Sequence, residues 1–191
     1  MYYGFVNVAS AIPSVRVADV DYNVGEIERL VKKADADGVE VIVFPELSLT
    51  GYTCQDLFAQ QKLLASAEDG MEQLLTGTSD LDVIGIVGAP VTYRNVLLNC
   101  GIVFQHGRIL GIVPKTYLPN YNEFYEKRWF ASSADILAGT VSYAGNDVTV
   151  PLEPQLFVTA SGMRFGVEIC EDVWSPMPCS NTLALAGADI V

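Results

Sequence analysis

Val39-Glu40-Val41-Ile42-Val43-Phe44-Pro45-Glu46, residues 39–46, is a β-branched run that ends in a proline and a carboxylate. Its length suits a buried strand, and Gly38 just before it is the residue type that closes a helix. Upstream, Ile27, Leu30, Val31 and Ala34 fall at the i, i+3, i+4, i+7 spacing of one helical face. Asn23, with Glu26 three residues on, reads as a capping-box start for that helix. The apolar run Tyr3 to Ala9 reads as a strand, so the chain begins strand, helix, strand, an α/β pattern.

Downstream, a second helix is expected from about Asp56 to Leu75, with Leu64, Ala67, Met71, Leu74 and Leu75 on one face before Thr76-Gly77-Thr78 breaks it. Val83 to Val87 returns as strand. Between Leu97 and Val113 two apolar runs flank His106-Gly107, a two-residue connection suited to a tight hairpin. Pro114 to Phe130 has neither period and is crowded with Tyr117, Tyr121, Tyr125 and Trp129, the mark of a long ordered loop with a function. Further strands are expected at Leu156 to Val158 and Phe165 to Ile169, with a short helix around Asn181 to Ala186. Asp189-Ile190-Val191 reads as a strand just beginning, so residues 1–191 are expected to be the N-terminal part of one domain.

Half of the 191 residues are apolar, enough for a real core. The formal net charge of −12 excludes a phosphate-reading surface, and nucleic acid is not an expected partner. No window approaches the run of about 20 apolar residues that a membrane helix needs, and Met1 to Ala11 lacks a basic signal-peptide start, so a cytoplasmic protein is expected. Cys54, Cys100, Cys170 and Cys179 are too sparse and uneven for a disulfide scaffold or a zinc ligand set.

Three apolar runs end in a reactive group: Phe44-Pro45-Glu46 in a carboxylate, Val113-Pro114-Lys115 in an ammonium, and Glu168-Ile169-Cys170-Glu171-Asp172 in a thiol. Ends of neighbouring strands project to one rim of a sheet, so these three can converge. Amide hydrolysis through a thiol needs such a set: a nucleophile, a proton carrier and an oxyanion donor. Lysine beside Cys170 is expected to lower its pKa and favour the thiolate, while Glu46 takes and returns the proton. The chain has one histidine, His106, placed in the hairpin turn, which disfavours a Cys–His or Ser–His hydrolase.

Phe44-Pro45-Glu46-Leu47, Val113-Pro114-Lys115 and Glu168-Ile169-Cys170-Glu171-Asp172 resemble, in order, the Glu, Lys and Cys motifs of the nitrilase (carbon–nitrogen hydrolase) superfamily. The extensions Glu46 to Tyr52, Lys115 to Arg128 and Cys170 to Trp174 resemble more narrowly the glutaminase domain of glutamine-dependent NAD⁺ synthetases. The resemblance implies a four-layer α-β-β-α sandwich, truncated at its C-terminus, in which Cys170 attacks the glutamine side-chain amide and releases ammonia from a thioester. It implies Glu46 as general base and acid, Lys115 as oxyanion donor, Glu123 in a supporting role, and Tyr121 and Glu171 lining the glutamine pocket. No metal or cofactor is implied for this stretch. ATP, Mg²⁺ and nicotinic acid adenine dinucleotide belong to a C-terminal synthetase domain of which the chain carries neither a Walker loop nor a Ser-Gly-Gly signature. Homo-oligomers are also implied. Two other readings stay open: a stand-alone amidase acting on another small amide, and a non-catalytic assembly module that keeps the fold.

Overall fold

A computed structural model describes residues 4–151 and 153–191; Tyr3, within the first expected strand, lies outside them. In chain order the regular elements are β1 (Val8–Ser10), α1 (Val20–Ala36), β2 (Val41–Val43), α2 (Gln61–Gly77), β3 (Ile84–Tyr93), β4 (Val96–Gln105), β5 (Arg108–Pro114), β6 (Gly139–Tyr143), β7 (Asn146–Val150), β8 (Phe157–Val158), β9 (Arg164–Phe165), α3 (Glu171–Trp174) and α4 (Cys179–Leu185). A five-stranded sheet runs β1-β2-β3-β4-β5. The first three strands are parallel, and β4 and β5 turn back antiparallel. The turn between them is His106-Gly107, both with positive φ (49° and 72°), the conformation a two-residue hairpin requires.

Strand alternation sorts the side chains into two cores. Val87, Ala89 and Val91 of β3 and Leu98, Cys100 and Ile102 of β4 face α1 and α2, burying Val24, Ile27, Val31, Met71 and Leu74. Ile84, Ile86 and Val103 face the other way, against Phe157, Met163 and Phe165. Beyond this second core, Gly166 turns its bare Cα outward onto α4, where an added Cβ would lie 2.5 Å from Leu183. The order is therefore helix layer, main sheet, short second sheet, helix: the four layers expected, with the second sheet reduced to β8, β9 and a parallel bridge between Phe165 and Ile190.

Several boundaries differ from the sequence reading for local reasons. The cap of α1 is Asp19, whose carboxylate accepts from the Tyr22 amide; Asn23 is instead inside the fold. Its carboxamide accepts from Arg16 N (2.7 Å) and donates to Arg16 O (2.8 Å) and Leu49 O (3.0 Å), tying α1 to the segment after Glu46. The second helix begins at Gln61, not Asp56, because Tyr52–Ala59 is 3₁₀-helical and broken at Gln55 (φ 52°, ψ −129°). The strand expected over Phe165 to Ile169 is paired only at its start. The hairpin β6–β7, unread in the sequence, closes through Ala144-Gly145, again both at positive φ.

Candidate active site

Each of the three motif segments leaves a strand and turns sharply. After β2, Phe44 still pairs with β3 through Ile86 O (2.9 Å), and the chain then folds over at Leu47, which has φ +51°. The fold-over lies directly on Gly88 of β3: a Cβ there would stand 2.2 Å from Leu47 N and 2.8 Å from Pro45 O. Only glycine admits that approach. Lys115 follows β5 and is held by its own amide on Asn99 O (2.8 Å) and by Ser133 N on its carbonyl (3.0 Å). Cys170 is the residue before α3 at φ 47°, ψ −101°, a strained position for a residue with a Cβ.

These turns bring the three groups together. Lys115 Nζ, with no solvent-exposed surface, donates to Glu46 Oε1 at 2.6 Å. It also lies 2.9 and 3.0 Å from the two oxygens of Glu126. Glu126 was not singled out in the sequence. Glu123, expected in a supporting role eight residues after Lys115, is solvent-exposed, and the carboxylate beside the ammonium is that of Glu126, eleven residues after Lys115. Tyr52 closes the cluster by donating to Glu126 Oε1 at 2.7 Å. Asn99 Nδ2 donates to Glu46 Oε1 at 2.6 Å.

The loop carrying Glu126 is ordered by aromatic packing. Tyr52 and Tyr121 both meet Phe124 edge-on, and Phe58 packs on Trp129 and Phe130. Asp172, buried at 2% exposure, is a second organiser missed in the sequence. Its carboxylate accepts from Thr116 N (3.1 Å), Tyr117 N (2.8 Å) and Ile169 N (3.1 Å), so one side chain joins the Lys115 segment to the Cys170 turn. At the rim, Tyr121 donates to Glu171 Oε2 at 2.8 Å, joining the two residues expected to line a substrate pocket.

The charges are strongly coupled. Burial pulls the Lys115 ammonium down, but Glu46 and Glu126 outweigh it and hold its pKa above the ordinary value. Burial raises Glu126 despite Lys115. The Cys170 thiol is also raised, first by desolvation and then by the negative charge of Glu46, with Lys115 opposing both. This reverses the expected thiolate: the ammonium is already shared by two carboxylates, so its net field at the sulfur is weak. Burial and the adjacent carboxylate both favour the thiol form of Cys170, which suits activation by proton transfer at the moment of attack.

The family described as Carbon-nitrogen hydrolase matches residues 7–191. The chain is 38% identical over 191 residues to the glutamine-dependent NAD(+) synthetase of Mycobacterium leprae, covering 98% of this chain and 28% of that protein. It is 32% identical over 184 residues to the Aquifex aeolicus protein of the same description, covering 93% and 29%. Among solved structures, a glutamine-dependent NAD(+) synthetase from Cytophaga hutchinsonii superposes with a TM-score of 0.78 at 26% identity, over 87% of this chain and 28% of that one. An amidase from Nesterenkonia sp. gives 0.73 at 17% identity, over 97% and 63%, a likeness of fold alone. The chain thus spans between a quarter and a third of the length of these curated relatives.

Proposed function

The chain belongs to the carbon–nitrogen hydrolase family, and from that premise we propose that it is a glutaminase unit, releasing ammonia from L-glutamine through a thioester on Cys170. The observation that carries this reading is the placement of Lys115 Nζ between Glu46 and Glu126. An ammonium has three N–H donors. With one on Glu46 and one shared by the two oxygens of Glu126, the third is left for a substrate oxygen.

Glu46 accepts the thiol proton as Cys170 Sγ attacks the amide carbon. The oxyanion that develops is met by the remaining Lys115 N–H, a charge-assisted donor in a site of low dielectric. Glu46 then delivers its proton to the leaving nitrogen, ammonia departs, and the glutamyl thioester remains. Glu126 and Tyr52 act as positioning residues that fix the ammonium. Tyr121 and Glu171 stand at the rim, where the Glu171 carboxylate suits the α-ammonium of glutamine.

The similarity to glutamine-dependent NAD(+) synthetases supports a destination for the ammonia: a synthetase domain of the same polypeptide, with ATP and Mg²⁺, that amidates nicotinic acid adenine dinucleotide. Homo-oligomers and a cytoplasmic location go with that assignment. No helix among the described residues is long and apolar enough to cross a membrane. The test is labelling with an electrophilic glutamine analogue at neutral pH, read by peptide mass spectrometry. Labelling confined to Cys170, suppressed by glutamine and weakened by Lys115→Ala is the expected result. Equal labelling of all four cysteines would refute it.

A further inference from the structure

Asn99 is a buried polar side chain inside the apolar strand β4, and strand alternation places it with Gly101 and Val103 on the face toward the second sheet. It is 1% exposed. Its Nδ2 donates to Glu46 Oε1 at 2.6 Å and makes a long contact of 3.5 Å with Glu126 Oε2. Ionised carboxylates only accept, so the amide nitrogen must face them and Oδ1 is the atom left over. That oxygen is buried and has no hydrogen-bond partner in the protein. An acceptor left so is unfavourable, and proteins commonly relieve it with a bound water or ligand.

Asn99 is also part of the wall of a cavity of about 100 Å³, lined among others by Glu46, Gly101, Val167, Ile169 and Cys170. A water takes roughly 30 Å³ of liquid volume and needs at least two polar partners, so the space suits one to three of them. The polar groups of its wall include the Asn99 carboxamide and the Glu46 carboxylate, beside the atom that carries the acyl group.

We propose that Asn99 seats the water that hydrolyses the thioester, so that its role belongs to the second half of the reaction. It rests on the thioester chemistry proposed above. The water donates one hydrogen to Asn99 Oδ1 and the other to Glu46, which leaves a lone pair for the acyl carbon. As the C–O bond forms, Glu46 takes the proton; as the C–S bond breaks, that proton passes to Sγ, and glutamate leaves with the thiol regenerated. Acylation needs no such water, and Glu46 has a hydrogen-bond donor besides Asn99, Lys115 Nζ at 2.6 Å.

The experiment measures ammonia release from glutamine by rapid quench in the purified protein and in its Asn99→Leu and Asn99→Ser variants. Acyl-enzyme is followed by intact mass, with and without hydroxylamine as an alternative nucleophile. The variants are expected to release a burst of one ammonia per Cys170, to turn over roughly 10- to 100-fold more slowly thereafter, and to accumulate the acyl-enzyme. Hydroxylamine is expected to restore turnover by taking the place of the ordered water. Burst and steady state falling together, with no acyl-enzyme, would overturn the proposal, as would unchanged turnover. Loss of analogue labelling at Cys170 in both variants counts against it too, because it assigns Asn99 to acylation or to folding. Absence of ammonia release from glutamine in the parent, with its cysteine labelled, refutes the glutaminase reading itself and this inference with it.

Discussion

Replacing Lys115 by Met removes one charge from a cluster of three, of which Lys115 and Glu126 are buried and Glu46 is partly exposed, and keeps the length of the side chain. Lys115 has no exposed surface and Glu126 is 1% exposed, so the substitution leaves two carboxylates facing each other with little water between them. Removing one partner of a buried ion pair costs about 3–5 kcal/mol. At about 2–4 °C per kcal/mol for a domain of this size, the melting temperature at pH 8 should fall by about 6–20 °C. The pH dependence makes the prediction specific. In the parent, the raised Lys115 pKa gives stability present in full below the unfolded value near about 10.4, so it is constant between pH 5 and 8. In the variant, Glu126 loses the ammonium that held it down, and burial and Glu46 both push it further up. A carboxyl with a raised folded-state pKa stabilises below its unfolded value, and that contribution is lost as pH rises through the folded one. Each unit of the rise is worth about 1.4 kcal/mol. The deficit of Lys115→Met, measured by thermal and urea unfolding, should therefore narrow from pH 8 to pH 5. A deficit under about 1 kcal/mol at pH 8, or one that stays constant with pH, would refute the picture of an ionised triad built on a buried Lys115–Glu126 pair.

Glu46→Gln removes a charge that raises the Cys170 thiol; iodoacetamide should then label Cys170 faster at pH 7 than in the parent, while glutamine hydrolysis falls by about 10²- to 10⁴-fold for want of the proton carrier. In the parent, the labelling rate of Cys170 should keep rising with pH past about 8.5, the ordinary thiol value; a plateau below neutrality would show a resting thiolate. Asp172→Ala strands three backbone N–H groups and should cost about 2–5 kcal/mol in urea unfolding, with loss of analogue labelling because the Lys115 and Cys170 segments are no longer joined. Asn23→Ala should cost about 2–4 kcal/mol and leave the pH profile of activity unmoved, since its three bonds reach backbone alone.

What the sequence disclosed was periodic or local. The heptad-like face of α1, the β-branched run ending at Glu46 and the His106-Gly107 turn each carry their signal within a few residues, and each is present in the structure. Tertiary choices were less visible. Asn23 with Glu26 has the pattern of a cap, yet the strand-end segment at Leu49 recruits Asn23 inward and Asp19 caps instead. Glu123 and Glu126 are both acidic residues of one loop; which of them meets Lys115 depends on how Tyr52, Phe58 and Trp129 fold that loop back, a matter of contacts more than 60 residues apart. Asn99 and Asp172 did leave a trace, a polar residue inside or just after an apolar run, and a count of buried groups needing partners would have marked them. The β6–β7 hairpin left one too, in Ala144-Gly145 between alternating segments, but only Tyr143, Val148 and Val150 of its two strands are buried, so its apolar pattern is thin.

Gly88 has no reactive atom and sits on the neighbouring strand, yet the peptide that aims Glu46 rests on its Cα. In a saturation library scored only by ammonia release, every substitution at position 88 should score with the nulls at Cys170, and a ranking by functional sensitivity alone would register it as part of the chemistry. Scoring the same library for soluble yield as well separates the two kinds of null: Cys170→Ala is lost from the first screen only, whereas Gly88→Ala is lost from both. For anyone reshaping this site toward another amide, position 88 is a fixed point, and the diversity belongs at the Tyr121 and Glu171 rim.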